Sequence, residues 1–317
     1  MKILVNDGID PVGQRLLEEA GIEVDTQSIP QEALIQKLPA YDGIVVRSAT
    51  KVRKELIDAC PNLKVIGRGG VGLDNIDVDY AKSKGVAVVN TPAASSASVA
   101  ELVFAHLYSG VRFLTDAQRQ MPVVGDTQFS ALKKKYGSGI ELKGKTLGII
   151  GFGRIGQETA KIALGVGMDV IVSDIQEVPS TVSLQLSGGI EVQVPIKQLG
   201  LDTLIKEADF ISLHVPFLGK ALLDREAFKQ MKDGVGIVNA SRGGIIDEDA
   251  LLEALDQGKV AFAGLDVFEN EPTPKRSLLE HERISLSPHI GAATNEAQNR
   301  VGIELAEKII QELVLVS

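Results

Sequence analysis

The run Lys145-Thr146-Leu147-Gly148-Ile149-Ile150-Gly151-Phe152-Gly153-Arg154-Ile155-Gly156 narrows the folds open to this chain more than any other stretch. Leu147 to Ile150 read as an apolar strand, the glycines make a turn, and Glu158 to Val166 carry a helical pattern. Met168 to Asp174 then read as a second strand closed by an acidic residue. Strand, glycine turn, helix and strand make a βαβ unit, which commits the chain to a parallel sheet. Gly151 permits the tight turn, Gly153 lets backbone approach a pyrophosphate, and Gly156 lets helix and strand pack closely. Unpaired N–H groups and the positive dipole end of Arg154, Ile155 and the following turn suit that pyrophosphate. Asp174 suits the adenosine ribose hydroxyls and repels a 2′-phosphate, so the expected cofactor is NAD and not NADP. A glycine-rich turn without a ligand is the plainer alternative.

Strands and helices alternate through nearly the whole chain, which predicts parallel sheets covered by helices. In the first part, strands are expected at Ile3–Asn6, Ile22–Asp25, Gly43–Arg47, Lys64–Gly67 and Val86–Asn90. Asp10 caps the first helix with Pro11 in its first turn, and Gly21 lies just past its end. Ser95 to about Gln120 reads as one long helix, with Val99, Leu102, Val103, Leu107, Val111 and Leu114 as its apolar positions. Met121 to Ile140, with Lys133, Lys134 and Lys135, reads as irregular, and Ser180 to Gln193 as a surface excursion. Later strands are expected at Phe210–Val215, Gly236–Asn239, Ala261–Asp266 and Ile284–Ser287, before a final helix from about Thr294 to Leu315. The predicted class is α/β with two doubly wound parallel-sheet domains, one Rossmann nucleotide-binding and one smaller and flavodoxin-like. The crossing between them is expected between Pro92 and Glu101. Two such domains side by side make a cleft in which a ligand binds beyond the carboxyl ends of the strands.

The totals exclude several classes. The 317 residues suffice for two cores. A formal net charge of −9 argues against nucleic-acid backbone as the main ligand. The one cysteine, Cys60, excludes an intrachain disulfide framework and fits a reducing cytoplasm. Four histidines without paired-ligand spacing give a metal site little support, so none is expected. The Met1–Asp7 segment is a strand and not a secretion signal, and no apolar run has membrane-spanning length.

Hydride exchange with a nicotinamide ring asks the protein to hold the substrate, to move one proton and to tune the group that carries it. Three strand ends downstream of Gly151 offer such groups. Arg242, in Asn239-Ala240-Ser241-Arg242-Gly243-Gly244, has a planar fork suited to two-point capture of a carboxylate. His289, in Ser287-Pro288-His289-Ile290-Gly291, has the chemistry of an acid/base. Glu271, in Asp266-Val267-Phe268-Glu269-Asn270-Glu271-Pro272, can pair with His289, stabilise its imidazolium and fix its tautomer. Taken singly, each has a plainer reading: a strand-end cap, a structural histidine, one charge of an acidic loop. Arg47 and Arg68 each follow a predicted strand and suit a phosphate, and the Gly69-Gly70-Val71-Gly72 turn offers N–H groups to a carboxylate. The plainer reading of either arginine is a solvated loop charge.

These motifs, with Leu213-His214-Val215-Pro216 and Ser287 through Ala292, make the chain resemble the D-isomer-specific 2-hydroxyacid dehydrogenase family over essentially its full length. The resemblance implies catalysis by Arg242, Glu271 and His289. It implies a cofactor pocket of Gly151, Gly153, Arg154, Ile155, Gly156, Asp174, His214, Val215, Pro216, Ala240, Ser241, Asp266, His289, Gly291 and Ala292. In it Asp266 would hold the nicotinamide carboxamide, and His214 would be structural or adenine-side. Within the family, Val46-Arg47-Ser48-Ala49-Thr50, Ile66 through Asp77 and Gly291 through Gln298 most resemble the D-3-phosphoglycerate dehydrogenase branch. That branch implies oxidation of a phosphorylated 2-hydroxy acid, 3-phospho-D-glycerate, in serine biosynthesis. Substrate would be held by Arg47, Ser48, Arg68, Gly69, Gly70, Val71, Arg242 and His289. It also implies a substrate-binding domain at 1–98 plus 291–317, an NAD-binding domain at 99–290, and a homodimer through the latter. Thr91-Pro92-Ala93-Ala94-Ser95 departs from the usual Gly-Asn after Thr-Pro, and no C-terminal regulatory domain or serine feedback is expected. The alternatives are a hydroxypyruvate or glyoxylate reductase, a D-lactate dehydrogenase, or a non-catalytic NAD-sensing module.

Overall fold

The computed structural model describes residues 1–315. The chain divides into two compact units, Met1–Ser98 with the chain from Ala292 onward, and Val99–Gly291.

The first unit holds five parallel strands, β1 (Lys2–Val5), β2 (Glu23–Asp25), β3 (Gly43–Val46), β4 (Val65–Arg68) and β5 (Ala87–Asn90), in the order β2-β1-β3-β4-β5. Helices α1 (Pro11–Glu19), α2 (Gln31–Lys37), α3 (Lys54–Asp58) and α4 (Val78–Ser83) connect them. Both faces are covered, so the central strands β1, β3 and β4 are largely apolar, while the edge strand β2 (Glu23–Asp25) is not. Alternate residues divide between two cores. Ile3, Val5, Val45 and Val65 face one way, and Leu4, Ile44, Val46 and Ile66 face the other. The order reverses between β1 and β3, the flavodoxin-like switch point where ligands of such sheets bind. Asp10 caps α1 through the Val12 N–H at 2.9 Å, with Pro11 opening the helix.

Helix α5 (Ser96–Val111), which enters the second unit at Val99, and α6 (Leu114–Lys135) precede that unit's strands. These strands are β6 (Thr146–Ile150), β7 (Asp169–Ser173), the hairpin β8 (Thr181–Leu186) and β9 (Ile190–Pro195), β10 (Lys197–Gln198), β11 (Phe210–Leu213), β12 (Val235–Asn239), β13 (Val260–Leu265) and β14 (Ile284–Leu286). Between them run α7 (Arg154–Gly165), α8 (Leu201–Glu207), α9 (Arg225–Gln230), α10 (Glu248–Asp256) and α11 (Arg276–Glu280). The seven-stranded sheet has the order β10-β7-β6-β11-β12-β13-β14, all parallel, with its reversal between β6 and β11. This is the Rossmann arrangement. Leu213, Asn239, Leu265 and Leu286 lie level in register, so the residues just beyond them emerge side by side along one edge.

The final helix, α12 (Asn295–Ile310), belongs to the first unit and packs on α1 and on β4. A side chain on Gly13 would strike the Gly302 backbone, so the two helices meet glycine to glycine. Leu305 and Ile309 of α12 also press on Gly67 of β4.

Three expectations need correction. The long helix expected from Ser95 to Gln120 breaks at Phe113, which is left-handed at φ 55°, and α6 begins directly after it. Most of the Met121–Ile140 stretch is not irregular, because α6 runs through Pro122 to Lys135, and only 136–140 lie outside regular structure. The proline and Gly125 read as breakers, yet the helix absorbs Pro122 and bends only at Gln128. Lys135 is engaged by Asp116 at 2.7 Å, and that hydrogen bond raises its pKa against a weaker effect of burial. Finally, Ser180–Gln193 is largely the antiparallel hairpin β8–β9.

Candidate active site

At the switch point of the second unit, Gly151 is left-handed at φ 92°. A side chain on it would lie 2.6 Å from the His214 carbonyl oxygen. A side chain on Gly156 would strike the Gly151 carbonyl. Gly153 differs, since space beyond it is open, and it precedes α7 with no side-chain cap. The first N–H groups of α7, from Arg154 and Ile155 on, therefore face a cradle free of side chains, which fits a pyrophosphate. Asp174 spans the turn and accepts the Phe152 N–H at 2.7 Å and the Gln176 N–H at 3.0 Å. It leaves further lone pairs for ribose hydroxyls. Val215 packs against Gly151, Ile155 and Ala240 join the apolar core beneath, and Pro216 is exposed. His214 has Nε2 at 2.9 Å from Ser212 Oγ and a buried Nδ1 without a partner, and burial pushes its pKa down to about 3.

The carboxyl edge of the same sheet presents the other groups. Arg242 lies three residues beyond β12 in a turn fixed by Asn239. The Asn239 amide donates to the Arg242 carbonyl at 2.8 Å and its oxygen receives Ser241 N–H and O–H. Beyond β14, His289 Nδ1 sits 2.8 Å from Glu271 Oε2, and Glu271 Oε1 accepts the Phe268 N–H at 3.0 Å. The structure thus brings Glu271 and His289 together across 18 residues of chain. His289 is left-handed at φ 54°, a conformation a non-glycine residue holds only when its surroundings impose it. Asp266 imposes it. Its carbonyl accepts the His289 N–H at 2.8 Å, and its carboxylate accepts Ile290 N–H at 2.8 Å, Gly291 N–H at 2.9 Å and Ser287 O–H at 2.6 Å. Asp266 is 1% exposed, so the carboxylate expected at the nicotinamide carboxamide spends most of its capacity on the His289 loop.

Glu248 was not singled out by the sequence reading. It is buried and accepts the Glu269 N–H at 2.8 Å, and burial raises its pKa. An acidic first-turn residue of α10 reads as an ordinary helix-dipole partner, so its sequence context gives no warning.

In the first unit, Arg47 and Arg68 stand at the ends of adjacent strands. The loop after β3 is held rigidly. Asp7 accepts the Arg47 N–H at 2.6 Å, the Thr50 N–H at 3.0 Å and the Thr50 hydroxyl at 2.6 Å. Asn75 donates to the carbonyls of Arg47 at 2.7 Å and Thr50 at 2.6 Å. The Arg47 guanidinium has no partner among the described residues, and Ser48 is exposed. Arg68 lies over Gly70, whose φ of 146° admits no side chain. The expected anion nest is smaller than the sequence implied. Gly69 N–H donates to Val46 and Gly70 N–H to Arg68, both at 2.9 Å. Val71 and Gly72 alone keep N–H groups of this turn without an acceptor among the described residues. Ala292, expected beside the cofactor, falls in the first unit, where its carbonyl accepts the Gln298 amide at 2.6 Å.

A family model described as "D-isomer specific 2-hydroxyacid dehydrogenase, NAD binding domain" matches residues 104–291. A hydroxypyruvate reductase of Thermotoga maritima is 47% identical, covering 98% of this chain and 98% of the relative. Human D-3-phosphoglycerate dehydrogenase is 41% identical over 98% of this chain but 56% of its own length. The chain therefore spans a little over half of that relative. A solved glyoxylate reductase structure from Paecilomyes thermophila is similar with TM-score 0.83 and 30% identity, covering 99% of this chain and 96% of that one. The glycine cradle and Asp174 agree with the family in pointing to NAD as the dinucleotide. No helix among the described residues is long and apolar enough to cross a membrane.

Proposed function

The chain belongs to the D-isomer-specific 2-hydroxyacid dehydrogenase family, with an NAD-dependent activity on 2-hydroxy acids, and from that premise we propose that its substrate is 3-phospho-D-glycerate. The product is 3-phosphohydroxypyruvate, which places the reaction in serine biosynthesis. The observation that carries the substrate assignment is the pair Arg47 and Arg68 on neighbouring strand ends, one with an uncommitted guanidinium. Planar cations at a switch point suit a phosphate dianion. The Val71 and Gly72 N–H groups assist in holding the anionic substrate.

In the second unit Arg242 holds the substrate carboxylate. His289 accepts the C2 hydroxyl proton at Nε2 while Nδ1 remains on Glu271, which stabilises the imidazolium as it forms. Bound NAD⁺ supplies the hydride acceptor. Asp266 keeps the imidazole where the proton is released. On this reading the first unit selects the substrate and the second carries the chemistry. The assembly is a homodimer through the second unit, supported by the exposed apolar side chains of Leu114, Met121, Val123 and Phe129 along α6. Sedimentation as a lone monomer at working concentration would remove that assignment. The reaction is cytoplasmic, in keeping with a buried, reduced Cys60.

A second reading, reduction of hydroxypyruvate without the phosphate, is favoured by the end-to-end match to the Thermotoga reductase. NADH consumption with 3-phosphohydroxypyruvate, hydroxypyruvate and pyruvate separates the two. The phosphate should raise kcat/KM over hydroxypyruvate by about tenfold or more. Equal or reversed preference would discard the phosphorylated substrate and leave the second reading.

A further inference from the structure

Behind the His289 loop the second unit contains a hydrogen-bonded chain that touches neither substrate nor cofactor in the proposed chemistry. It begins at His106, the polar member of an apolar stretch of α5 that includes Val103, Phe104 and Leu107. The residue is 3% exposed, and its ring nitrogens reach two serines on or just beyond β14. Nδ1 lies 2.8 Å from Ser285 Oγ, and Nε2 lies 2.9 Å from Ser287 Oγ. Ser287 in turn donates to Asp266 at 2.6 Å. His106 packs directly on β13 where Gly264 leaves room for it, since a side chain there would lie 2.5 Å from His106 Cβ.

The direction of every proton in this chain follows from its end. The Asp266 carboxylate, receiving two backbone N–H groups, acts as an acceptor, so the Ser287 hydroxyl donates to it. With its only proton committed, Ser287 must accept from His106, which places the ring proton on Nε2. Nδ1 then accepts from the Ser285 hydroxyl. One neutral tautomer satisfies all three bonds, and burial holds the ring in that neutral form by lowering its pKa, against a weaker opposing effect of Asp266.

We propose that His106 is a positioning residue for the acid/base. By orienting Ser287 it commits that hydroxyl to Asp266, and Asp266 so anchored holds the Ile290 and Gly291 N–H groups that fix the left-handed His289 against Glu271. This rests on the reading of His289 as the proton carrier. An apolar residue in place of His106 would leave Ser287 free to rotate away from Asp266. The loop would keep its fold and lose definition where the imidazole must be placed. Such misplacement acts on the chemical step more than on binding.

The test uses steady-state kinetics of five variants. His106→Leu replaces the ring with an apolar group, and His106→Gln keeps one acceptor and one donor. In His106→Leu, kcat should fall about tenfold with KM for NADH within about twofold of the parent. His106→Gln should recover most of the loss. Ser287→Ala should lose a similar factor, and the double variant His106→Leu/Ser287→Ala should be no slower than the worse single variant, because both cut the same chain. Parental kcat in both His106→Leu and Ser287→Ala, losses that multiply in the double variant, or a Gln variant as slow as the Leu variant would overturn the proposal. If His106→Leu fails to fold, Ser287→Ala and His106→Gln still decide it, the first by a loss of kcat and the second by its retention. His289→Asn separates this inference from the reading beneath it. An inactive His289→Asn beside fully active His106 and Ser287 variants removes the positioning role alone, whereas an active His289→Asn removes the acid/base reading itself.

Discussion

The guanidinium of Arg47 and the imidazole of His289 are presented in opposite ways. Arg47 extends from a loop whose backbone is bound by Asp7 and Asn75, so its position is set while its charge stays uncommitted. His289 is held through both its backbone and its ring, by Asp266 and Glu271. Arg47→Ala and Arg68→Ala should therefore act on substrate selection. Each should raise KM for 3-phosphohydroxypyruvate by about 1.5–3 kcal/mol in free-energy terms, roughly ten- to hundredfold, and change KM for hydroxypyruvate much less. Parallel measurements on the two substrates check this, and equal effects on both would remove the phosphate role. Arg242, Glu271 and His289 were visible in the sequence because a charged residue just past an apolar run stands at a strand end. Ser287, His106 and the loop-holding use of Asp266 were not visible. Their meaning depends on α5 lying against β14, which no local pattern encodes.

Among the elements, the buried parallel strands were legible, whereas the exposed hairpin β8–β9 and one long helix were not. Parallel strands covered on both faces are continuous apolar runs, and β3, β6 and β12 stand out from their surroundings for that reason. Helix α6 lacks such a signal, because few of its side chains are buried and it carries both Pro122 and Gly125. The α1–α12 contact gives a test at this scale. Gly13→Ala gains about 1 kcal/mol of helix propensity, yet its methyl would enter the Gly302 backbone and force the helices apart, at about 1–3 kcal/mol or more. The net effect should be destabilising. Gly165→Ala, at the end of α7 with open space beyond its Cα, should be neutral or stabilising. Thermal melts of both variants compare them, and a Gly13→Ala protein as stable as the parent would contradict the close approach.

For the molecule as a whole, the acid response should divide between the units. All four histidines, His106, His214, His281 and His289, fall in the second unit, and the first has none. Burial lowers the pKa of His106 and of His214, the latter to about 3. In the unfolded chain both bind a proton near pH 6.5. Below that pH the unfolded state holds more protons, so the stability these residues contribute is complete above about pH 6.5 and is lost as pH falls towards their folded values. In the first unit, hydrogen bonds lower the pKa of Asp25, Asp42, Asp58 and Asp77, whose contribution persists until the pH falls below the ordinary carboxylate range, about 3.9. Between pH 7 and 5, hydrogen exchange corrected for intrinsic rates should show second-unit peptides losing protection first. Earlier loss in the first unit would contradict this.

The claim on which the account rests is that His289 moves the proton in an NAD-linked oxidation. It is tested most directly by His289→Asn, with turnover and NADH affinity measured on the same preparation. Turnover should fall by about 10²–10⁴-fold while NADH still binds as in the parent. A variant that turns over at the parental rate would contradict the claim.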